Sequence, residues 1–158
     1  MSRITFIPAR GKSVQLLARN PVFRAIARNP MNTAMRNNVE LPAQIAFKSV
    51  QEGAANDADR TALATMCNVI MVLAEKHCSQ SDLDDAIEAQ MAIVRADRRA
   101  AQGKHWNFDG EGRLAMIQAL ATHQQQITQL GQVAITDAML EVLDRKAKGQ
   151  VFTVGAEA

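Results

Sequence analysis

The sequence predicts an all-α protein: an antiparallel four-helix-type bundle with a basic, partly extended N-terminal arm and short helices in front of it. Three observations carry this reading. Four stretches between residue 56 and residue 149 repeat apolar residues at i, i+3, i+4 and i+7. Capping residues and glycines punctuate those stretches. The segments between them are short, which favours antiparallel neighbours. Residues 1–55 are thus expected to form the arm and short helices, and residues 56–158 the bundle.

Along the chain, Arg3 to Ile7 has strand-like chemistry, and Pro8 and Gly11 oppose a helix there. The near-repeat Ala18-Arg19-Asn20-Pro21 and Ala27-Arg28-Asn29-Pro30 follows. Asn caps helices and Pro suits the first helical position, so the repeat predicts two short helix starts. Asn37 and Asn38 are expected to end this stretch. Leu41-Pro42 then opens another helix, with Ile45, Ala46, Ser49 and Val50 on one face and Gly53 as its stop.

Asn56 caps the first long helix, expected over 57–77, with Leu63, Met66, Cys67, Ile70, Leu73 and Ala74 on its apolar face. Ser81 followed by Asp84 resembles a capping box and starts the second, whose expected seam is Leu83, Ile87, Met91 and Val94, closed by Gly103. The third is expected over 111–130, with Leu114, Ile117, Leu120, Ala121, Ile127 and Leu130 inward and Gly131 as its stop. The fourth is expected over 134–148, with Ile135, Met139, Val142 and Leu143 inward and Gly149 after it. The tail Val151 to Val154 reads as a short strand that pairs with Ile4 to Ile7.

Composition bounds the function classes. The chain has 158 residues, 47% apolar and 22% charged, which suits one globular domain without a disulfide framework. Aromatics are 4% and methionines number 8, so Leu, Ile, Val, Ala and Met must build the core. Cys67 and Cys78 lie eleven residues apart on one expected helix, about 16 Å, too far for a disulfide. A reducing, cytoplasmic compartment fits. There is neither an apolar run long enough to span a bilayer nor a secretory signal, so no membrane partner is expected. An Arg-rich N-terminus also suits a mitochondrial presequence, but Pro21 and Pro30 interrupt the amphipathic helix that such a segment needs.

Net charge is +2 but uneven. Arg3, Arg10, Lys12, Arg19, Arg24, Arg28 and Arg36 precede the first acid, Glu40. Residues 1–48 carry a balance of +7 and the remaining 110 a balance of −5. Such an arm suits an anionic partner: nucleic acid, an anionic membrane surface, or the chain's own acidic half. On the second long helix Arg95, Arg98, Arg99 and Gln102 share one face, which offers guanidinium forks to phosphates or simply cations to a helix C-terminus. Trp106 and Phe108, beside Lys104 and His105, offer either a stacking platform or a plug for the bundle's end.

Other clusters read as structural. His77, Cys78, Cys67 and His123 lack zinc-site spacing. Asp82, Asp84, Asp85 and Glu88 sit where acids complement a helix dipole and do not match a calcium loop. No phosphate-binding glycine motif, nucleophile elbow or metalloprotease motif occurs, and no motif for sequence-specific DNA reading. The reading is therefore non-enzymatic, with no cofactor and no metal.

Trp106, then Asp109-Gly110, then Leu114, Ala119-Leu120 and His123 on one helix, and a last helix with a basic turn before Gly149, form a pattern across about a third of the chain. Together with the basic, proline-containing N-terminus it resembles small helical proteins carried by proteobacterial prophages and plasmids. It departs from them at Gln124, where an acid would follow the histidine. The resemblance implies a mobile-element origin and an accessory role, and it carries over no functional residue. Two expectations follow. One is a nucleic-acid-binding protein that uses Arg3, Arg10, Lys12, Arg19, Arg24, Arg28, Arg36, Arg95, Arg98 and Arg99. The other is a protein-interaction module: a phage- or plasmid-borne inhibitor of a host or defence factor, or a virion or assembly component. The sequence leaves the oligomeric state open.

Overall fold

Side-chain caps set the helix starts in the computed structural model, which describes residues 31–77 and 79–153. The Asn32 side chain accepts from the Met35 amide, and α1 runs Thr33–Gln51. Asn56 Oδ1 accepts from the Ala58 and Asp59 amides while Asp59 returns a carboxylate to the Asn56 N–H, a reciprocal box that opens α2, Asp57–His77. Ser79 caps α3, Gln80–Ala101, two residues before the Ser81 expected for that role. Asp109 accepts from the Gly112 amide at 2.6 Å and opens α4, Gly110–Gln129. α5, Gln132–Ala147, starts at Gly131 without a side-chain cap. Gly53, Gly103 and Gly149 follow α1, α3 and α5 with φ between 66° and 78°, the left-handed turn that ends a helix most cheaply at glycine. Gly131, expected as a stop, instead sits at the N-cap of α5 with φ −71°.

The fold of the described residues is all-helical, and it corrects the sequence reading at several points. Asn37-Asn38 and Leu41-Pro42 do not separate two helices. α1 continues through them, with Pro42 inside. An internal proline costs about 3 kcal/mol. The buried face Ala43, Ala46, Phe47 and Val50, together with the Asn32 cap, offsets that cost. Ile45, expected on that face, is exposed. The short helix starts at Asn20 and Asn29 and the strand at 3–7 lie outside the described residues.

α2 is the central helix and packs against α1, α3, α4 and α5. Its apolar residues are buried around most of its circumference, as a central helix requires. Leu63, Met66, Cys67 and Ile70 join α1, α3, α4 and Trp106 in one core cluster. Val69, Val72 and Leu73 join Met31, Ile127 and the α5 residues Ile135, Ala138 and Val142 in a second.

The faces of α3, α4 and α5 differ from the expected ones. α3 buries Ala86, Ala89, Ile93 and Ala96, a stripe at alternating spacings of three and four, while Ile87 and Met91 are exposed. α4 buries Gly112, Met116, Ala119, His123 and Gln126 in the same rhythm, with Leu114 and Ile117 exposed and Ala121 turned outward. Small residues win these seams because they let the backbones approach. A Cβ on Gly112 would stand 3.1 Å from that of Ala92. On α5, Met139 and Leu143 point outward rather than in.

The tail is held by a side chain and forms no strand within the described residues. The Asn68 amide donates to the Phe152 carbonyl at 2.8 Å, and its oxygen accepts from the Phe152 N–H at 3.2 Å. The Phe152 ring packs against the first core cluster.

Candidate nucleic-acid interface

Six of the ten residues expected to touch phosphate (Arg3, Arg10, Lys12, Arg19, Arg24 and Arg28) lie outside the described residues. The structure places the other four in two locations. Arg36, in the first turn of α1, pairs with Glu40 at 3.7 Å and donates to the Thr128 hydroxyl on α4. Arg95, Arg98 and Arg99 occupy the last two turns of α3. Arg95 lies 3.3 Å from the Asp109 carboxylate, which also caps α4. Its charge therefore stabilises the α3–α4 corner. Arg98 is exposed and Arg99 half-buried.

Trp106 is not open for base stacking. It is buried, and its indole N–H donates to Asp97 at 2.6 Å. Phe108 meets it edge-on at 5.3 Å and stacks on Phe47 at 6.2 Å. The Arg60 guanidinium lies 5.1 Å from the Trp106 ring centroid, a cation–π contact. The loop thus plugs one end of the helices, as the bland alternative predicts.

The acidic cluster is structural as well. Asp85 accepts from the Thr122 hydroxyl at 2.6 Å and Asp82 from the Gln126 amide at 2.8 Å. Gln80 donates to Asp84 within the first turn. These bonds tie the start of α3 to the second half of α4 and give the Thr122 hydroxyl and Gln126 Nε2 their partners, while Gln126 Oε1 is buried without one.

Nothing among the described residues gathers three metal-ligating side chains. Cys67 lies within the core, where burial pushes its thiol up to about 12, and a protonated thiol is a poor nucleophile. His77 is exposed at the end of α2, and Cys78 is outside the described residues. His123 is buried on α4, and burial lowers it to about 4, so its imidazole is neutral at pH 7.

Sequence reasoning missed one cluster of charge. Arg145 on α5 donates to Glu141 at 2.8 Å and reaches Glu75 on α2 at 3.0 Å. The i, i+4 spacing signals the first partner. The second comes from another helix, and spacing carries no signal for it. No helix among the described residues is long and apolar enough to cross a membrane. Comparison with protein-family models, with curated proteins and with solved structures finds no match to this chain.

Proposed function

We propose that the chain is a non-enzymatic binding protein of mobile-element type, acting in a reducing, cytoplasmic setting. In this reading the helices form an antiparallel bundle, and the basic N-terminal segment serves it as an arm that contacts nucleic acid without reading sequence. One contrast carries the proposal. Within the helices Arg36, Arg60, Arg95 and Arg145 each have an acidic partner of the chain's own. Residues 1–30 contain six bases and no acid at all. Positive charge without an acid of its own is therefore concentrated in one stretch of the sequence, as phosphate neutralisation requires.

Fluorescence anisotropy of labelled single- and double-stranded oligonucleotides tests this. The full chain is compared with a variant in which Arg19, Arg24 and Arg28 are Gln. If all six bases meet phosphates of a duplex, log affinity falls against log salt with a slope of about −5, and by about half of that in the variant. No binding at low salt rejects the proposal.

A second reading, a protein-interaction module that inhibits a host or defence factor or joins a virion, draws support from α5. Met139, Leu140 and Leu143 are exposed along that helix, and Leu140 and Leu143 are 59% and 61% accessible. Large apolar side chains grouped on one face suit a protein partner. A stoichiometric partner captured by the full chain, and lost with Leu140→Glu, favours it over nucleic acid.

A further inference from the structure

Between α1 and α2 runs a groove of about 530 Å³, within the size range of small-molecule sites. Val39, Pro42, Ala62, Met66, Val69 and Met139 give it apolar walls. Thr61 and Thr65 add hydroxyls from α2, and Asp57 stands at one end, paired with Arg60 at 3.4 Å.

Two polar groups in this groove lack the partner that a folded chain normally supplies. His123 rises into it from α4, only 3% exposed, and no described residue hydrogen-bonds its imidazole. Its ring nitrogens are not among the fully buried unpaired atoms, so they keep access to the open space of the groove. The second is a consequence of Pro42. Proline has no N–H, so the carbonyl of Asn38, four residues earlier and also on the groove, has no i+4 donor within α1. Both groups can accept a hydrogen bond. Neither offers a counter-charge to an anion, because the imidazole is neutral at pH 7.

We infer that the α1–α2 groove is a binding site for a small uncharged apolar molecule that carries an N–H or O–H donor, with His123 as the residue that receives it. The walls supply apolar burial and the acceptors supply orientation, the usual division of labour in a ligand site. The inference does not depend on the basic arm, since the residues it is argued from lie on α1, α2, α4 and α5.

The test uses the isotopically labelled full chain and two probes of similar shape: indole, which has an N–H donor, and 1-methylindole, which does not. The expected result is that both shift the amides of Ala62, Met66 and Val69, but only indole moves the ring nitrogens of His123. Indole should bind about 2- to 12-fold more tightly, the range that one net hydrogen bond supports. His123→Phe should abolish that difference. Thr65→Trp, at an exposed position, should fill the groove and weaken both probes by at least about tenfold; it keeps the test decisive if His123→Phe does not fold. Equal affinities for the two probes overturn the inference, as does an unchanged His123 ring signal. Groove amides that neither probe moves overturn it too, whether residues 1–30 or a second copy covers the groove, and sedimentation of the full chain identifies the second copy.

Discussion

α4 and α5 are consecutive helices, yet they meet the rest of the chain in opposite ways. α4 packs against α3, α2 and α1, and its buried face is mostly small or polar: Gly112, Ala119, Thr122, His123 and Gln126. α5 packs chiefly on α2 and buries only Ile135, Ala138 and Val142. Both leave large aliphatic side chains outside, Leu114 on α4 and Leu140 and Leu143 on α5. The difference shows that closeness, not hydrophobicity, chooses the inward face of a helix surrounded by neighbours. Where backbones approach, small residues are needed, and Thr122 and Gln126 are accepted because Asp85 and Asp82 meet them across the seam. Where a helix rests on one neighbour, a few branched residues suffice and charge completes the attachment.

The comparison breaks first under acid, because α4 buries a titratable group and the apolar seam of α5 does not. His123 is lowered to about 4 in the folded state, against 6.5 for the free side chain. Between those values the unfolded chain binds the proton and the folded chain does not, so stability falls as the pH drops. From pH 7 to pH 4.5 the loss should be roughly 2–3 kcal/mol beyond that of a His123→Gln variant. Urea unfolding of both proteins at the two pH values measures it. Parallel losses in the two would show that His123 is not the group responsible.

A smaller effect should come from Gly112→Ala. Alanine favours a helix over glycine by about 1 kcal/mol, so propensity alone predicts a gain. The added methyl, however, would stand 2.9 Å from Asp109 Oδ1 and 3.1 Å from the Ala92 Cβ. Asp109 is held by the Gly112 amide and lies beside Arg95, and Ala92 sits on a packed helix, so neither gives way freely. A net loss of about 1–2 kcal/mol is expected, read as a lower melting temperature. A stabilised variant would mean that the α3–α4 approach is looser than these distances state.

How much of this was legible in the sequence follows the same division. The existence of α2 to α5 was readable from periodicity, and several of their ends from Asn56, Gly103 and Gly149, because caps act locally. Which face turned inward was not readable on α3 and α4. Reasoning from the largest apolar residues favoured Ile87, Met91 and Leu114, and the seam was set by Ala86, Ala89 and Gly112. Pro42 misled for a related reason: its local cost is real, and distant burial of Phe47 and Val50 outweighs it. The fate of Arg95 and of Trp106 depends on Asp109 and Asp97, partners that lie beyond one turn of helix and carry no spacing signal. The groove was invisible for the same reason, since α1, α2, α4 and α5 all contribute to it.

The smallest effect concerns the attachment of α5. Arg145 is 16% exposed, and its partners Glu75 and Glu141 are 27% and 38% exposed. Such a network lies between a surface pair and a buried one. Arg145→Met keeps an unbranched apolar side chain and removes the charge-assisted bonds to Glu75 and Glu141, at an expected cost of about 1 kcal/mol that shrinks in high salt. The site of the loss is more telling than its size. Because α5 rests mainly on α2, weakening its clamp should let it open locally while the α3–α4 seam stays closed. Amide hydrogen exchange should then quicken across 135–147 and stay unchanged across 112–127. Equal acceleration in both would show that the helices open as one cooperative unit and that α5 has no separate attachment to lose.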